Sequence, residues 1–310
     1  MNISIIIPNY NGEGLLKRNL PKVYDEVKED KGIVEIIVAD DFSTDDSLKV
    51  LEKLKKEIPL LKILTNKSNL GFSKNVNKAV RQAKGELLIL LNSDVSPERG
   101  FLKPLLKHFS DEKVFAVGCM DKSYDNGKVI LRGRGFGKWE KGFLLHRRGE
   151  VDKTNTLWVS GGSGAFSKKI WEKLDGFNEI YSPFYWEDID ISYRALKSGY
   201  KLIFEPESIV NHEHEKGAIK SKYSESYIKT ISYRNQFIFS WENATDLSIQ
   251  VSFFFWLPYH LLKAVLRMDT PFFKGFFWAL ILSPKVIKSS LAYQRQFTKK
   301  DSEVIKGYLE

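Results

Sequence analysis

The residues in this chain whose types could do chemistry fall into three acidic groups and one histidine. Asp40-Asp41 closes one apolar run, Asn92-Ser93-Asp94 closes another, Glu187-Asp188-Ile189-Asp190 opens a helix-period stretch, and His212 follows later. Carboxylates grouped in this way suit coordination of a hard divalent cation and proton transfer. Each also has a structural use. An Asp after a strand is often an N-cap, and Asp188 and Asp190 can cap the helix that begins near Ile189. His212 sits among Asn211, Glu213, His214 and Glu215, where a polar histidine is commonly only surface, and His214 is its rival as a ligand.

The elements around these residues decide between the two uses. Ile3–Ile7, Ile33–Ala39, Leu60–Leu64 and Leu87–Leu91 are short apolar runs separated by helix-period stretches, which predicts a mostly parallel sheet with crossover helices. Ser43-Thr44-Asp45-Asp46 offers N-cap chemistry ahead of Leu48, Leu51, Leu54 and Ile58. A polar turn through Asn69 and Gly71 precedes a helix with Val76, Ala79, Val80 and Ala83 on one face. In an open α/β sheet, ligands bind outside the carboxyl ends of the strands. Asp40-Asp41 and Asn92–Asp94 therefore converge on one crevice. From Asp121 to Lys153 the periodicity gives way to a Gly- and Arg-rich stretch, read as a mobile loop or hairpin. Its Arg132, Arg134, Arg147 and Arg148 offer either a solvated loop or an arm closing on an anionic group. Order resumes at Trp158–Lys168, a helix runs from Ile189 to Ser198 and stops at Gly199, and Lys201–Phe204 is a late strand.

Composition narrows the setting. The 310 residues are 43% hydrophobic and 28% charged, which excludes disordered, collagen-like and coiled-coil chains. One cysteine, Cys119, rules out an internal disulfide and fits a reducing compartment. The opening MNISIIIPNYN has no basic stretch before its apolar run, so no secretory signal is expected. The net charge is +9, and residues 247–310 supply +5 of it, with nine Lys/Arg against four acids. The same segment has ten aromatics between Phe253 and Trp278, and uncharged runs at Leu247–Leu262 and Gly275–Pro284. A confident membrane span needs about 20 apolar residues. The 16-residue run here, containing Pro258 and His260, falls short. It predicts amphipathic helices lying on an anionic membrane surface, with a packed subdomain or dimer interface as the alternative. Nucleic acid is excluded as a partner because the basic residues alternate with long uncharged blocks.

Taken together, Ile5–Asn11, Ile37–Asp45, Asn69-Leu70-Gly71 and Leu90–Asp94 resemble the catalytic core of glycosyltransferase family 2. Gly161–Phe166, Gly176–Glu179, Trp186–Asp190, Gly199-Tyr200 and His212 are similar to its rhamnosyltransferase-like branch. The resemblance covers about residues 3–240. It implies a three-layer α/β/α fold of the GT-A type with a mostly parallel central sheet, so that residues 1–240 form the catalytic domain and 241–310 a helical, membrane-associating region. It implies an inverting hexosyl- or rhamnosyltransferase acting on a UDP- or dTDP-sugar donor and a saccharide or polyprenyl-linked saccharide acceptor, in surface polysaccharide biosynthesis, peripheral on the inner face of the cell membrane.

By the same resemblance, Asp40 accepts a hydrogen bond from the pyrimidine ring, Pro8, Asn9 and Tyr10 pack on the base, and Asn69, Gly71, Asn92 and Ser93 complete the nucleotide site. Asp94 and His212 hold Mg²⁺ or Mn²⁺, and Asp188 is the base. Trp186 and Glu187 bind acceptor, Trp186 being a sugar platform or core. Asn92 departs from the family pattern by replacing the first Asp of an Asp-x-Asp, which removes one charge from the cation site. Two other readings compete. A sugar nucleotidylyltransferase needs a basic pair after the first strand that Asn9–Gly14 lacks. A catalytically impaired nucleotide-sugar-binding scaffold on the membrane finds support only in Asn92. A dinucleotide-binding dehydrogenase is weaker still, because no Gly-x-Gly-x-x-Gly follows the first strand.

Overall fold

A computed structural model of the chain describes residues 1–125, 128–212 and 222–308. Four parallel strands form its first half: β1 (Ile3–Asn9), β2 (Ile33–Asp40), β3 (Leu61–Thr65) and β4 (Leu87–Leu91). The helices between them are α1 (Glu13–Val27), α2 (Ser47–Leu54) and α3 (Phe72–Gln82). Period-two alternation divides each central strand between two cores. Ile3, Ile5 and Ile7 of β1 join Leu16, Leu20 and Val23 of α1, while Ile6 joins Val76, Ala79 and Val80 of α3 on the other face. This is the three-layer arrangement that the apolar runs predict.

The second half makes the sheet mixed. β5 (Val95–Pro97), α4 (Leu102–Leu106), β6 (Val114–Asp125), β7 (Lys128–Arg132), β8 (Gly135–Glu140), β9 (Phe143–Arg148) and β10 (Ser163–Ser167) lead to α5 (Lys168–Lys173), α6 (Glu187–Lys197) and β11 (Lys201–His212). The strand order is β3-β2-β1-β4-β10-β6-β11-β5, with β7 beside β6. β10 runs antiparallel to both β4 and β6, and β11 runs parallel to β6 and antiparallel to β5. The stretch 121–153, read from sequence as a loop or hairpin, is the end of β6, β7 and a separate β8–β9 hairpin. Of the arginines named there, Arg134 is buried and donates to the Asn155 carbonyl and side chain, while Arg132 lines the cavity described below. The late strand is also longer than its apolar stretch implies, and His212 is its last residue rather than a residue beyond it.

Four further helices follow: α7 (Glu225–Asn243), α8 (Leu247–Leu266), α9 (Thr270–Gln294) and α10 (Asp301–Lys306). One core runs through α6, the hairpin and these helices, and it includes Phe143, Trp186, Phe237, Phe253, Phe272 and Val304. Buried charges fasten the same parts. Asp190 of α6 pairs with Arg194 and accepts from Asn243 Nδ2, while Lys197 pairs with Asp301 at 2.8 Å. Residue 240 lies inside α7.

Candidate active site

Pro8, Asn9, Tyr10, Asn69, Gly71, Asn92, Ser93, Asp94, Glu187, Asp188 and His212, eleven of the thirteen site residues that the sequence nominates, line one cavity of about 720 Å³. The chain brings them there from the carboxyl ends of β1 and β4, the turn between β3 and α3, the end of β11, and the start of α6.

At the nucleotide end Asp40 is engaged within the fold. Asp40 and Asn9 are register partners at the ends of β2 and β1, and the pair closes on itself. Asn9 Nδ2 donates to Asp40 Oδ2 at 2.9 Å, and Ser43 donates from its backbone N–H to Oδ1 and from its hydroxyl to Oδ2. Asp40 is 1% exposed and does not reach the cavity wall. The next residue, Asp41, does. Its Oδ1 accepts from Asn66 Nδ2 and Leu70 N–H and its Oδ2 from Gly71 N–H, each at 2.8 Å. Asp41 thus holds the 69–71 turn against the cavity, with an oxygen that has room for another donor. Gly71 has φ +83°, and a Cβ there would come within 3.3 Å of Pro183 Cα, so this turn requires glycine. Lys222 and Tyr223 complete this wall, with Lys222 Nζ 4.1 Å above the Tyr10 ring.

At the centre, Asp94 stands just before β5, and His212 lies opposite Val95 in the β5–β11 pair. His212 Nε2 is 3.3 Å from Asp94 Oδ1, and His212 Nδ1 is 2.6 Å from Asp121 Oδ2 on β6. Ser123 Oγ in turn donates to Asp121 Oδ1. Burial alone would lower the His212 pKa, but Asp121 and Asp94 outweigh it and push it up to about 9. Carboxylate, imidazole and carboxylate in a row form the arrangement in which one acid fixes the ring and the far nitrogen faces a cation. Among the described residues no three acids or histidines form a complete cation cage. Asp94 Oδ1 and His212 Nε2 would hold Mg²⁺ or Mn²⁺ there as a partial site of hard and borderline donors. Asn92 sits beside them under Gly162, where a Cβ would fall 2.3 Å from Asn92 Nδ2. The rival His214 lies outside the described residues.

On the remaining wall, Glu187 and Asp188 open α6, where the helix dipole favours anions. Burial raises both carboxyls above their ordinary range, and the Asp188 charge raises Glu187 further. The backbone N–H groups of Ile189 and Gly161 hold Asp188 back from a larger rise. The helix start is strained: Tyr185 and Trp186 both have positive φ, at 71° and 76°. Of the two uses left open for Trp186, its ring takes the core one. Its ring is buried, 5.0 Å from both Phe239 and His146, and the residues facing the cavity are Phe184 and Tyr185.

Sequence reasoning missed Asp121, Phe184, Tyr185, Lys222 and Tyr223. It placed Asp41 at the crevice together with Asp40 but gave the base contact to Asp40. Asp121 would have followed from reading Val114–Gly118 as a strand.

Known proteins carry the same architecture. The family profile "Glycosyl transferase family 2" matches residues 4–175. An O-antigen chain rhamnosyltransferase of Salmonella typhimurium, RfbN, is 26% identical over 219 residues, 69% of this chain and 67% of that protein. A Campylobacter jejuni GalNAc(5)-diNAcBac-PP-undecaprenol beta-1,3-glucosyltransferase is 28% identical over 183 residues, 58% of this chain and 55% of that one. Among solved structures, GalNAc-T7 with UDP, GalNAc and Mn²⁺ matches with TM-score 0.64 at 21% identity, over 77% of this chain and 47% of that one. S. aureus TarS 1–349 with UDP-GlcNAc matches with TM-score 0.58 at 20% identity, over 81% and 69%. The fold is therefore of the GT-A type, and the chain is a glycosyltransferase that belongs to glycosyl transferase family 2.

Proposed function

We propose that this enzyme moves a sugar, with inversion, from a UDP- or dTDP-activated donor to a hydroxyl of a saccharide carried on a polyprenyl lipid, in the assembly of a surface polysaccharide. The observation that carries the reading is the convergence of Asp41, the Asp94–His212 pair and Asp188 on one cavity. Asp41 receives the ring N–H of the base while Tyr10 packs on its face. Asp94 and His212 hold Mg²⁺ or Mn²⁺, which when bound neutralises charge on the leaving diphosphate. Burial pushes the Asp188 carboxyl up to about 6, so at neutral pH it is a carboxylate that takes the proton of the acceptor hydroxyl as that oxygen attacks the anomeric carbon. The bond from that carbon to the diphosphate oxygen breaks, and the nucleoside diphosphate leaves with the electron pair. One base and one displacement give inversion.

Rhamnose from dTDP is the leading donor; the sugar is supported by the Salmonella relative, a rhamnosyltransferase, and the pairing by the Trp186–Asp190 form. The undecaprenol-linked substrate named for the Campylobacter relative supports a lipid-linked acceptor and a place at the inner face of the cell membrane. Retention of Asp94, His212 and Asp188 in one cavity disfavours a non-catalytic scaffold.

The test is a thermal-shift panel of UDP, dTDP, GDP and CMP, with and without Mn²⁺, on wild type, Asp41→Asn and Asp40→Asn. A ligand at 100 times its Kd stabilises by about 2.7 kcal/mol. The expected result is stabilisation by UDP or dTDP that grows with Mn²⁺ and is lost in Asp41→Asn. Stabilisation by none of the nucleotides would overturn the reading.

A further inference from the structure

α8 and α9 each have one packed flank and one bare flank. On the inner side Phe253 lies 5.5 Å from the Phe143 ring, and Phe272, Gly275, Ala279 and Val286 are buried. On the outer side Phe254, Phe255, Leu262 and Leu266 of α8, with Phe277 and Ile281 of α9, are 59–75% exposed. A contiguous apolar face of this kind on a soluble domain marks a binding surface.

α8 has 20 residues and a mean hydropathy of 1.3, enough by length and composition to cross a bilayer. Its contacts forbid that. The Lys141–Gly142 turn of the β8–β9 hairpin docks at its middle: His260 Nε2 bonds the Lys141 carbonyl at 3.0 Å, and Lys141 Nζ lies 4.8 Å from both the Trp256 and Tyr259 rings. Were α8 to span, that hairpin, with Lys138, Glu140 and Lys141, would have to enter hydrocarbon. The helix must lie along a surface.

Charge decides what covers it. Across residues 247–294 the cations are Lys263, Arg267, Lys274, Lys285 and Lys288, all exposed, and the single acid is Asp269. Asp269 is already engaged by Lys229 and the Tyr233 hydroxyl. A symmetric pair of copies would set this cationic face against itself. Anionic headgroups complement it. The face also adjoins the cavity: Phe184 and Tyr223 on the cavity wall are 5.2 Å apart, Tyr223 stacks on Tyr227 at 5.0 Å, and Tyr227 lies 6.2 Å from Trp278 on α9.

We propose that the outer face of α8 and α9 docks flat on an anionic bilayer, and that the Phe184–Tyr223–Tyr227–Trp278 ladder opens the cavity toward that bilayer. Docking stands on exposure and charge alone. Only the use of the ladder, to admit a lipid-linked acceptor, rests on the transferase reading.

The experiment is co-sedimentation of the full chain with phosphatidylcholine vesicles with and without phosphatidylglycerol, at low and high salt. Wild type is compared with F254S/F255S and K285E/K288E, and each protein is also tested for its thermal shift with UDP and dTDP. Binding should require phosphatidylglycerol, fall roughly tenfold per serine substitution and roughly fivefold per lysine removed, and leave the nucleotide shift unchanged. Equal binding by F254S/F255S, or no binding by wild type, overturns docking. Wild type that stays with the vesicles after alkaline carbonate extraction overturns the flat orientation. A wild-type dimer in light scattering that becomes monomeric in F254S/F255S, without vesicle binding, assigns the face to a second copy instead. Vesicle binding without any nucleotide shift leaves docking standing and removes the transferase reading.

Discussion

Replacing Asp121 by Asn tests whether the His212 ring is held for a cation. The change keeps the side-chain shape but turns the 2.6 Å contact with His212 Nδ1 from a charge-assisted hydrogen bond into a neutral one. Bonds to charged groups contribute about 1.5–3 kcal/mol and neutral ones about 0.5–1.5. The difference, about 1–2 kcal/mol, corresponds to roughly 5–30-fold weaker cation binding, within reach of the 10–100-fold typical of such supporting carboxylates. The assay is a Mn²⁺ titration of the protein saturated with UDP or dTDP, following the free-ion electron paramagnetic resonance signal. The thermal midpoint without metal serves as the folding control. The activation constant for Mn²⁺ should rise while kcat at saturating Mn²⁺ holds. Ser123→Ala, which removes the donor to Asp121 Oδ1, should shift the constant the same way by less. A folded Asp121→Asn protein that binds Mn²⁺ as wild type does, or one whose kcat loss no Mn²⁺ concentration restores, would refute the reasoning.

Asp188→Asn should lower kcat by roughly 10²–10⁴-fold while the nucleotide thermal shift persists; turnover within tenfold of wild type would remove Asp188 as the base. In wild type, the acidic limb of kcat/KM against pH should turn above the ordinary Asp value of about 3.9, because burial raises that carboxyl. Tyr185→Ala should raise acceptor KM roughly 2–10-fold. Trp186→Ala should instead cost about 3–5 kcal/mol of stability in a denaturant melt, and the reverse pattern would restore Trp186 as the platform. Burial, then Asp190, raise the Glu242 carboxyl, which accepts from Tyr181 and Asn178. The folded protein therefore holds that proton more tightly than the unfolded chain, so its stabilising effect is complete below about pH 4.3 and is lost as pH rises toward the folded value. Glu242→Gln should flatten this decline in the thermal midpoint, and an unchanged slope would count against it.

The first four strands were legible because Ile3–Ile7 and Leu87–Leu91 are apolar on both faces and are bounded by turn residues, a pattern with few structural meanings. The acidic ends of β2 and β4 followed from strand position alone. Asp40 and Asp41 were not separable in the same way. They are adjacent carboxylates, and only the Asn9–Asp40 register shows which one is spent inside the fold. Trp186 was illegible because two successive left-handed residues reverse the side chains, and a Tyr-Trp pair gives no local reason for such a turn. The β8–β9 hairpin was legible only as one of two alternatives, loop or hairpin, because its glycines and arginines blur alternation. In α8 and α9 both flanks are apolar, so periodicity could not say which flank packs.

The position of β11 has a consequence for biosynthesis. Among the described residues β5 is an edge strand that pairs only with β11, and Asp94 beside it meets His212 only when β11 is laid between β6 and β5. On the ribosome, the β1–β4 half closes its contacts early from neighbouring segments, while the Asp94–His212 junction waits for the strand ending at residue 212. A nascent chain can thus shape its nucleotide edge before it can hold an ion.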